Sequence, residues 1–387
     1  MTIAAYLRDD LEVHAVLAVG GKSRVIELGF VGCGDVAIRT YFPALAPLAG
    51  RIRVAACFDP QVERAEAAAA LFPGATALTY YEDLLGQAGL DAIVNLTPAP
   101  FHREVTSQAI AAGLHVYSEK PLAATVPEAH ALIEQANQAG KLLLSAPAVM
   151  ATRRFRWLKE LITAGCFGRP TLATAQMANM GPASWRGYTG DPGVFYQKGV
   201  GPVLDTGVYI LHAITGLLGP VKRIQAFGGI AIPKRTVLIE RLAGQTIDVT
   251  ANDQMLIQLD FGGDTFAQVL SSFAVPATRA PALELHGTGG SFSIATSTWY
   301  DANGPVDIYR RDDTPLGLEG WILNVSPPNP SPHTNLIGAG VPHFVDCILG
   351  DAEPILTAAH ARHVLEVILA AGRAVQECCV VELSTSF

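Results

Sequence analysis

Val25-Ile26-Glu27-Leu28-Gly29-Phe30-Val31-Gly32-Cys33-Gly34-Asp35-Val36-Ala37 decides the reading of this chain. A run of apolar, strand-forming residues enters a Gly-x-Gly-x-x-Ala turn and leaves it as a helix-like stretch, the context in which a dinucleotide fingerprint is credible. Gly32 permits the tight turn, and Gly34 lets a pyrophosphate approach the backbone. Asp35 and Val36 open a helix whose free N–H groups and positive dipole end suit an anion, and Ala37 is small enough for helix and sheet to pack closely. A plain strand-to-helix turn would satisfy the bare spacing too, so the next strand has to discriminate.

That strand ends in Cys57-Phe58-Asp59-Pro60. Asp59 falls 25 positions beyond Gly34, somewhat past the ~20 usual for the carboxylate that accepts from the adenosine ribose hydroxyls. Pro43, which should break or kink the intervening helix, accounts for the surplus. A carboxylate there repels a 2′-phosphate, so NAD is expected over NADP; nearby Arg64 keeps NADP open, and Asp59 could also be a turn residue before Pro60.

Outward from this unit, strand-like runs at Val25–Val31, Val54–Phe58, Ala92–Leu96, Leu114–Tyr117 and Leu142–Leu144 alternate with helix-like runs at Val62–Leu71, Arg103–Ala112 and Val126–Ala139. The pattern is that of βαβ units on a parallel sheet. It predicts an α/β chain: a Rossmann domain over residues 24–146, then an α+β domain over 147–387 with an open, mostly antiparallel sheet. In the latter, helices are expected at Arg154–Ala164, Thr206–Leu218 and about Thr357–Cys378. Met255–Phe261 and Thr265–Phe273 alternate apolar with polar residues around Gly262-Gly263-Asp264, as a hairpin would. Gly304–Gly340, rich in Pro and Gly, reads as irregular, and residues 1–23 as an extension lacking the basic start of a secretory signal.

Composition excludes several classes. The 387 residues carry 27 Lys+Arg against 35 Asp+Glu, a formal charge of −8, which argues against nucleic acid as a partner. Half the residues are hydrophobic, enough for buried cores and too many for a disordered chain, yet no apolar run approaches the ~18 residues of a membrane span. Six scattered cysteines suggest neither a disulfide framework nor zinc, and a cytoplasmic location is expected. His333, His343, His360 and His363 form no recognisable ligand set, so no metal is expected.

Three further places could carry chemistry. Thr97, Pro98 and His102 lie at or beyond the carboxyl end of the third strand, where ligands collect in open α/β sheets; they also fit a polar loop with a capping threonine. Glu119-Lys120-Pro121 ends the next strand, and Pro121 turns the chain away so that Lys120 can point into the crevice, where partial burial suits acid–base work. Asp205, Tyr209 and His212 share one helix face. Asp205 could orient while Tyr209 or His212 exchanges the proton; equally, the three could be an N-cap, a core aromatic and a satisfied interior histidine.

Taken in order, these motifs resemble the Gfo/Idh/MocA family, the glucose-fructose oxidoreductase and inositol dehydrogenase family. The resemblance runs from Arg24 to Val221 and more weakly beyond. It rests on Gly32–Ala37, Thr97-Pro98 to His102, Ala111-Ala112-Gly113-Leu114-His115-Val116 leading into Glu119-Lys120-Pro121-Leu122-Ala123, Trp185-Arg186, and Gly201-Pro202-Val203-Leu204-Asp205-Thr206-Gly207-Val208-Tyr209. It implies Lys120 beside nicotinamide and substrate hydroxyl, with Glu119, Trp185 and Arg186 as further cofactor contacts, and an open sheet that mediates a homodimer or homotetramer. Many relatives have histidine where this chain has Tyr209, and the Asp-x-Gly-x-Tyr pattern is similar to the branch in which tyrosine is the proton donor or acceptor. The expected activity is hydride transfer between NAD(P) and a secondary alcohol or ketone of a sugar, polyol or related cyclic compound. Trp185, Arg186, Tyr196 and Lys198 are expected at the mouth of the site. The rival expectation is a dinucleotide-binding sensor or regulator without chemistry.

Overall fold

The computed structural model describes residues 24–311 and 319–387; the expected N-terminal extension lies outside them. Strands β1 (Ile26–Val31), β2 (Ile52–Phe58), β3 (Thr76–Leu78), β4 (Ala92–Asn95), β5 (His115–Ser118) and β6 (Leu143–Ser145) form one sheet in the order β3-β2-β1-β4-β5-β6. Every pairing in it is parallel. This is the doubly wound Rossmann order, with its switch point between β1 and β4. β1 and β4 are buried along nearly their whole length, as strands covered on both faces must be. The covering helices are α1 (Val62–Ala69), α2 (Tyr81–Leu85), α3 (His102–Ala111) and α4 (Val126–Gln138). α4 begins with a capping box in which Thr125 and Glu128 satisfy each other's backbone N–H groups. β3 is a short strand absent from the sequence reading.

After the glycine turn the chain does not form an ordinary helix. A π-helical turn over Ala37–Tyr41 runs into a 3₁₀ turn over Pro43–Leu48, so Pro43 marks a change of helix type, as its missing N–H requires.

The second sheet contains β7 (Pro170–Ala178), β8 (Arg223–Gly229), β11 (Gln254–Gly262), β12 (Thr265–Ser272), β13 (Leu283–Gly287), β14 (Gly290–Ile294), β15 (Val306–Arg310), β16 (Gly320–Val325) and β17 (Val381–Glu382), while β9 (Lys234–Thr236) and β10 (Thr246–Asp248) make a separate hairpin. Only β7 with β12 is parallel in the large sheet, so it is largely antiparallel as expected. The segment 304–340 is not wholly irregular: β15 and β16 lie within it, pairing antiparallel. The alternate burial of Val306 and Ile308 was hidden there among proline and glycine.

α5 (Arg153–Thr163), α6 (Val208–Leu218), α7 (Gly340–Leu349) and α8 (Ala358–Glu377) complete the fold. α6 and α8 back one face of the large sheet; its other face shows water Leu256, Gln258, Phe266 and Gln268. α8 also returns to the first domain, where Ala358, Ala361 and Leu365 join the core of Val116, Leu122 and Leu132. The C-terminal helix therefore fastens the two domains together.

Candidate active site

The glycine turn is built as the dinucleotide reading requires. Gly32 has φ +94°, and a Cβ there would meet the Leu96 carbonyl oxygen at 2.7 Å, so only glycine fits against the end of β4. At Gly34 a Cβ would meet nothing within 4 Å: the space in front of the turn is open. Asp35 and Val36 start the helix, where the first N–H groups lack intrahelical partners. Ala37 is fully buried. Asp59 stands beside the turn, its Oδ2 accepting from Cys33 N at 3.0 Å and its Oδ1 from Gln61 N at 2.9 Å. It thus fixes the turn as well as bordering it, and open space, free N–H groups and a carboxylate together fit a dinucleotide.

The end of β4 is held by hydrogen bonds. Thr97 donates from N and Oγ1 to Asn95 Oδ1 at 3.2 and 2.7 Å, and Pro98 is exposed. His102 is buried, with Nδ1 2.6 Å from the Pro121 carbonyl oxygen and Nε2 2.7 Å from that of Thr97. Its ring clamps the β4 loop to the Lys-Pro turn, and both nitrogens are committed to backbone.

Lys120 follows β5 and is anchored from behind. Glu119 is buried, its Oε2 accepting from Lys120 N at 2.8 Å and its Oε1 from the Tyr41 hydroxyl at 2.5 Å. Lys120 Nζ reaches across the domain boundary, donating to the Asp205 backbone carbonyl at 2.7 Å and to Asp205 Oδ1 at 3.4 Å. It lies 5.5 Å from the ring centroid of Tyr209.

Asp205 is not a helix cap. It sits in a π-helical turn, Val203–Gly207, that precedes α6, and no side chain caps that turn. The turn tucks Asp205 beside Lys120 and leaves Asp205 Oδ2 buried without a hydrogen-bond partner among the described residues. Burial pushes its carboxyl up while Lys120 pulls it down. Tyr209 is buried, and burial followed by the charge of Glu119 holds its phenol well above the usual value.

The structure therefore brings Lys120, Asp205 and Tyr209 together. His212 lies farther along α6, buried, with its ring 4.6 Å from that of His360 on α8. It meets Lys120 only across a cavity of about 10 Å³ lined also by Pro121 and Leu122, too small for a substrate. Burial and the neighbouring His360 and His363 hold it well below the usual histidine range.

Trp185 and Arg186 are exposed on a strap that reaches the glycine turn. Thr189 Oγ1 donates to Asp35 Oδ1 at 2.7 Å, and Arg39 Nη1 donates to the Gly187 carbonyl at 2.7 Å. Arg241 Nη2 donates to the carbonyls of Thr189 and Gly190 from the other side. Lys198 is exposed. Tyr196 does not line the mouth: it is 1% exposed, packed on Phe273, with its hydroxyl accepting from Ala183 N at 3.1 Å.

Two site residues escaped the sequence reading. Tyr41 lies four positions after buried Ala37, a spacing that would have turned it inward. Tyr300, whose ring meets Tyr209 edge to face at 5.8 Å, carries no local signal.

A glycine turn, a strand-end lysine and a partnered tyrosine are the makings of a nicotinamide-dependent oxidoreductase. The family model described as "Oxidoreductase family, NAD-binding Rossmann fold" matches residues 26–146, and that of the GFO/IDH/MocA C-terminal domain matches residues 155–293. The chain belongs to the Gfo/Idh/MocA oxidoreductase family, and its first domain is the NAD-binding one.

Among relatives, dTDP-3,4-didehydro-2,6-dideoxy-alpha-D-glucose 3-reductase of Streptomyces violaceoruber is 29% identical over 241 residues, 62% of this chain and 67% of its own. Inositol 2-dehydrogenase of Streptomyces avermitilis is 27% identical over 320 residues, 78% and 90% of the two chains. The fold is also that of a super-repressor mutant of Gal80p from Saccharomyces cerevisiae, with a TM-score of 0.76, 19% identity, and 93% and 99% of the chains covered. Within the described residues no helix is long and apolar enough to cross a membrane.

Proposed function

We propose that the chain moves a hydride between NAD(P) and a secondary alcohol or ketone of a sugar, polyol or related cyclic compound. The relatives' names support this substrate class. The observation that carries the reading is the convergence of Lys120, Asp205 and Tyr209 at the carboxyl end of the parallel sheet.

The bound nicotinamide supplies or accepts the hydride, and the protein handles the proton. In reduction, Tyr209, kept as the neutral phenol by its burial, gives its proton to the nascent alkoxide oxygen. Two N–H donors of Lys120 are engaged by Asp205; the third holds that oxygen and then passes its proton to the tyrosinate, and Lys120, still partly open to water, regains a proton from solvent. In oxidation the same groups run in reverse. His212, facing α8, is not assigned the transfer. Asp59 favours NAD over NADP by repelling a 2′-phosphate, and Trp185 and Arg186 cover the cofactor from the strap. A regulator of the same fold would have no need for the Lys120–Asp205 pair.

We also place a subunit contact on the open sheet face, where Leu172, Leu256 and Phe266 are exposed; light scattering of the wild type and Phe266→Asp tests it. The activity is tested by Lys120→Ala and Tyr209→Phe. Turnover should fall while cofactor stays bound; retained turnover removes the mechanism.

A further inference from the structure

Tyr300 packs against the phenol proposed to transfer the proton, and no motif announces it. Its ring meets that of Tyr209 with centroids 5.8 Å apart and planes at 77°. Tyr209 is 7% exposed, whereas Tyr300 keeps 40% of its surface open, so Tyr300 is the one of the two that a molecule entering the cleft can lie against.

The loop that carries it is fixed from both sides. Arg154 on α5 is fully buried and spends its guanidinium on this loop, Nη1 donating to the Thr298 carbonyl at 3.0 Å and Nη2 to that of Trp299 at 2.6 Å. The neighbouring Trp299 is buried edge to face against Phe155, with centroids 5.6 Å apart. Leu336 N donates to the Tyr300 carbonyl at 3.0 Å. A buried cation held by carbonyls is costly to maintain, and here its hydrogen bonds hold the two peptides before Tyr300. An aromatic ring on so fixed a backbone has two χ angles to immobilise, so it offers contact area at small entropic cost.

We infer that Tyr300 is a substrate-positioning residue whose ring forms the wall for the C–H face of a pyranose or cyclitol, with Arg154 holding its loop in place. The inference rests on the reading of the site given above. A ring that braces bound substrate and transition state alike alters KM more than kcat, and this separates it from Lys120 and Tyr209, which act on the transferred proton.

The test uses the NADH-loaded protein and a fixed panel of myo-inositol, D-glucose and methyl β-D-glucopyranoside, with glycerol as acyclic control, read by saturation-transfer NMR and calorimetry. The wild type is expected to bind at least one cyclic member. Tyr300→Ala should weaken that binding about tenfold and Tyr300→Phe by less than about threefold, with NADH affinity unchanged in both. Unchanged sugar affinity in Tyr300→Ala, or a parallel loss of NADH, overturns the inference. Binding of no cyclic member by the wild type overturns both the inference and the proposed substrate class. Full turnover in Tyr209→Phe strikes the proposed mechanism alone.

Discussion

Lys120 donates from Nζ to the backbone carbonyl of Asp205 at 2.7 Å and to its carboxylate at 3.4 Å, so the end of a Rossmann strand is tied to the helix that carries Tyr209. The carboxylate is buried and the ammonium largely so. Such a pair is held less for its own stability than for what it fixes, since desolvation consumes much of the attraction.

The two partners should not be equivalent. Lys120→Ala removes the donor to Asp205 and, in the proposed mechanism, the donor to the substrate oxygen, and is expected to lower kcat about 10²–10⁴-fold. Asp205→Asn keeps the backbone carbonyl that receives the shorter bond and should cost less. Steady-state kinetics of both variants, with thermal melts to confirm folding, check the order.

The two glycines of the turn separate folding from binding. Gly32→Ala meets the Leu96 carbonyl and adopts a left-handed φ, so it should destabilise the protein by more than 1 kcal/mol. Gly34→Ala meets nothing in the protein; it should fold normally and bind NAD at least about tenfold more weakly, because the methyl occupies the open space before the helix. Denaturant titration and calorimetry with NAD distinguish the two.

Tyr41→Phe tests the anchor behind the lysine. It leaves a Glu119 oxygen buried without the bond made at 2.5 Å, a loss of about 1–3 kcal/mol, to be read as a fall in the urea midpoint.

What the sequence revealed and what it hid divide along physical lines. Gly32, Gly34, Lys120-Pro121 and Asp205 were legible because each is a local demand of backbone or charge at a turn or helix start. The parallel sheet was legible because β1 and β4 are apolar but for Glu27 and the terminal Asn95. β3 escaped because a short edge strand carries little pattern, and β15 because its alternation lies amid proline and glycine. Tyr41 meets Glu119 across 78 positions, and Arg154 meets Trp299 across 145; neither contact has a periodicity to betray it. His212 shared the helix face of Tyr209 in sequence, but its partner proved to be His360 on α8.

That histidine cluster makes stability depend on pH. Burial holds His360 down at about 3, and outside the cluster, on α7, it holds His343 at about 4, against an ordinary 6.5. His360 is enclosed by His212, His363, Phe387 and the Thr215 hydroxyl. Folded values below the unfolded one mean that the stability these rings contribute is complete above pH 6.5. It is lost as pH falls toward 4 and then 3, at about 1.4 kcal/mol per pH unit for each ring. Urea midpoints between pH 7.5 and 4.5 should fall accordingly, and His360→Leu should flatten the slope.

The most direct measurement is nicotinamide absorbance during turnover of a panel of sugars and polyols by wild type and Tyr209→Phe, each shown by calorimetry to bind NAD. The wild type should turn over at least one cyclic substrate, and Tyr209→Phe should lose at least about 10²-fold in kcat with cofactor affinity unchanged. Equal rates in the two proteins, at equal cofactor occupancy, would contradict the placement of Lys120 and Tyr209 over a shared reacting oxygen.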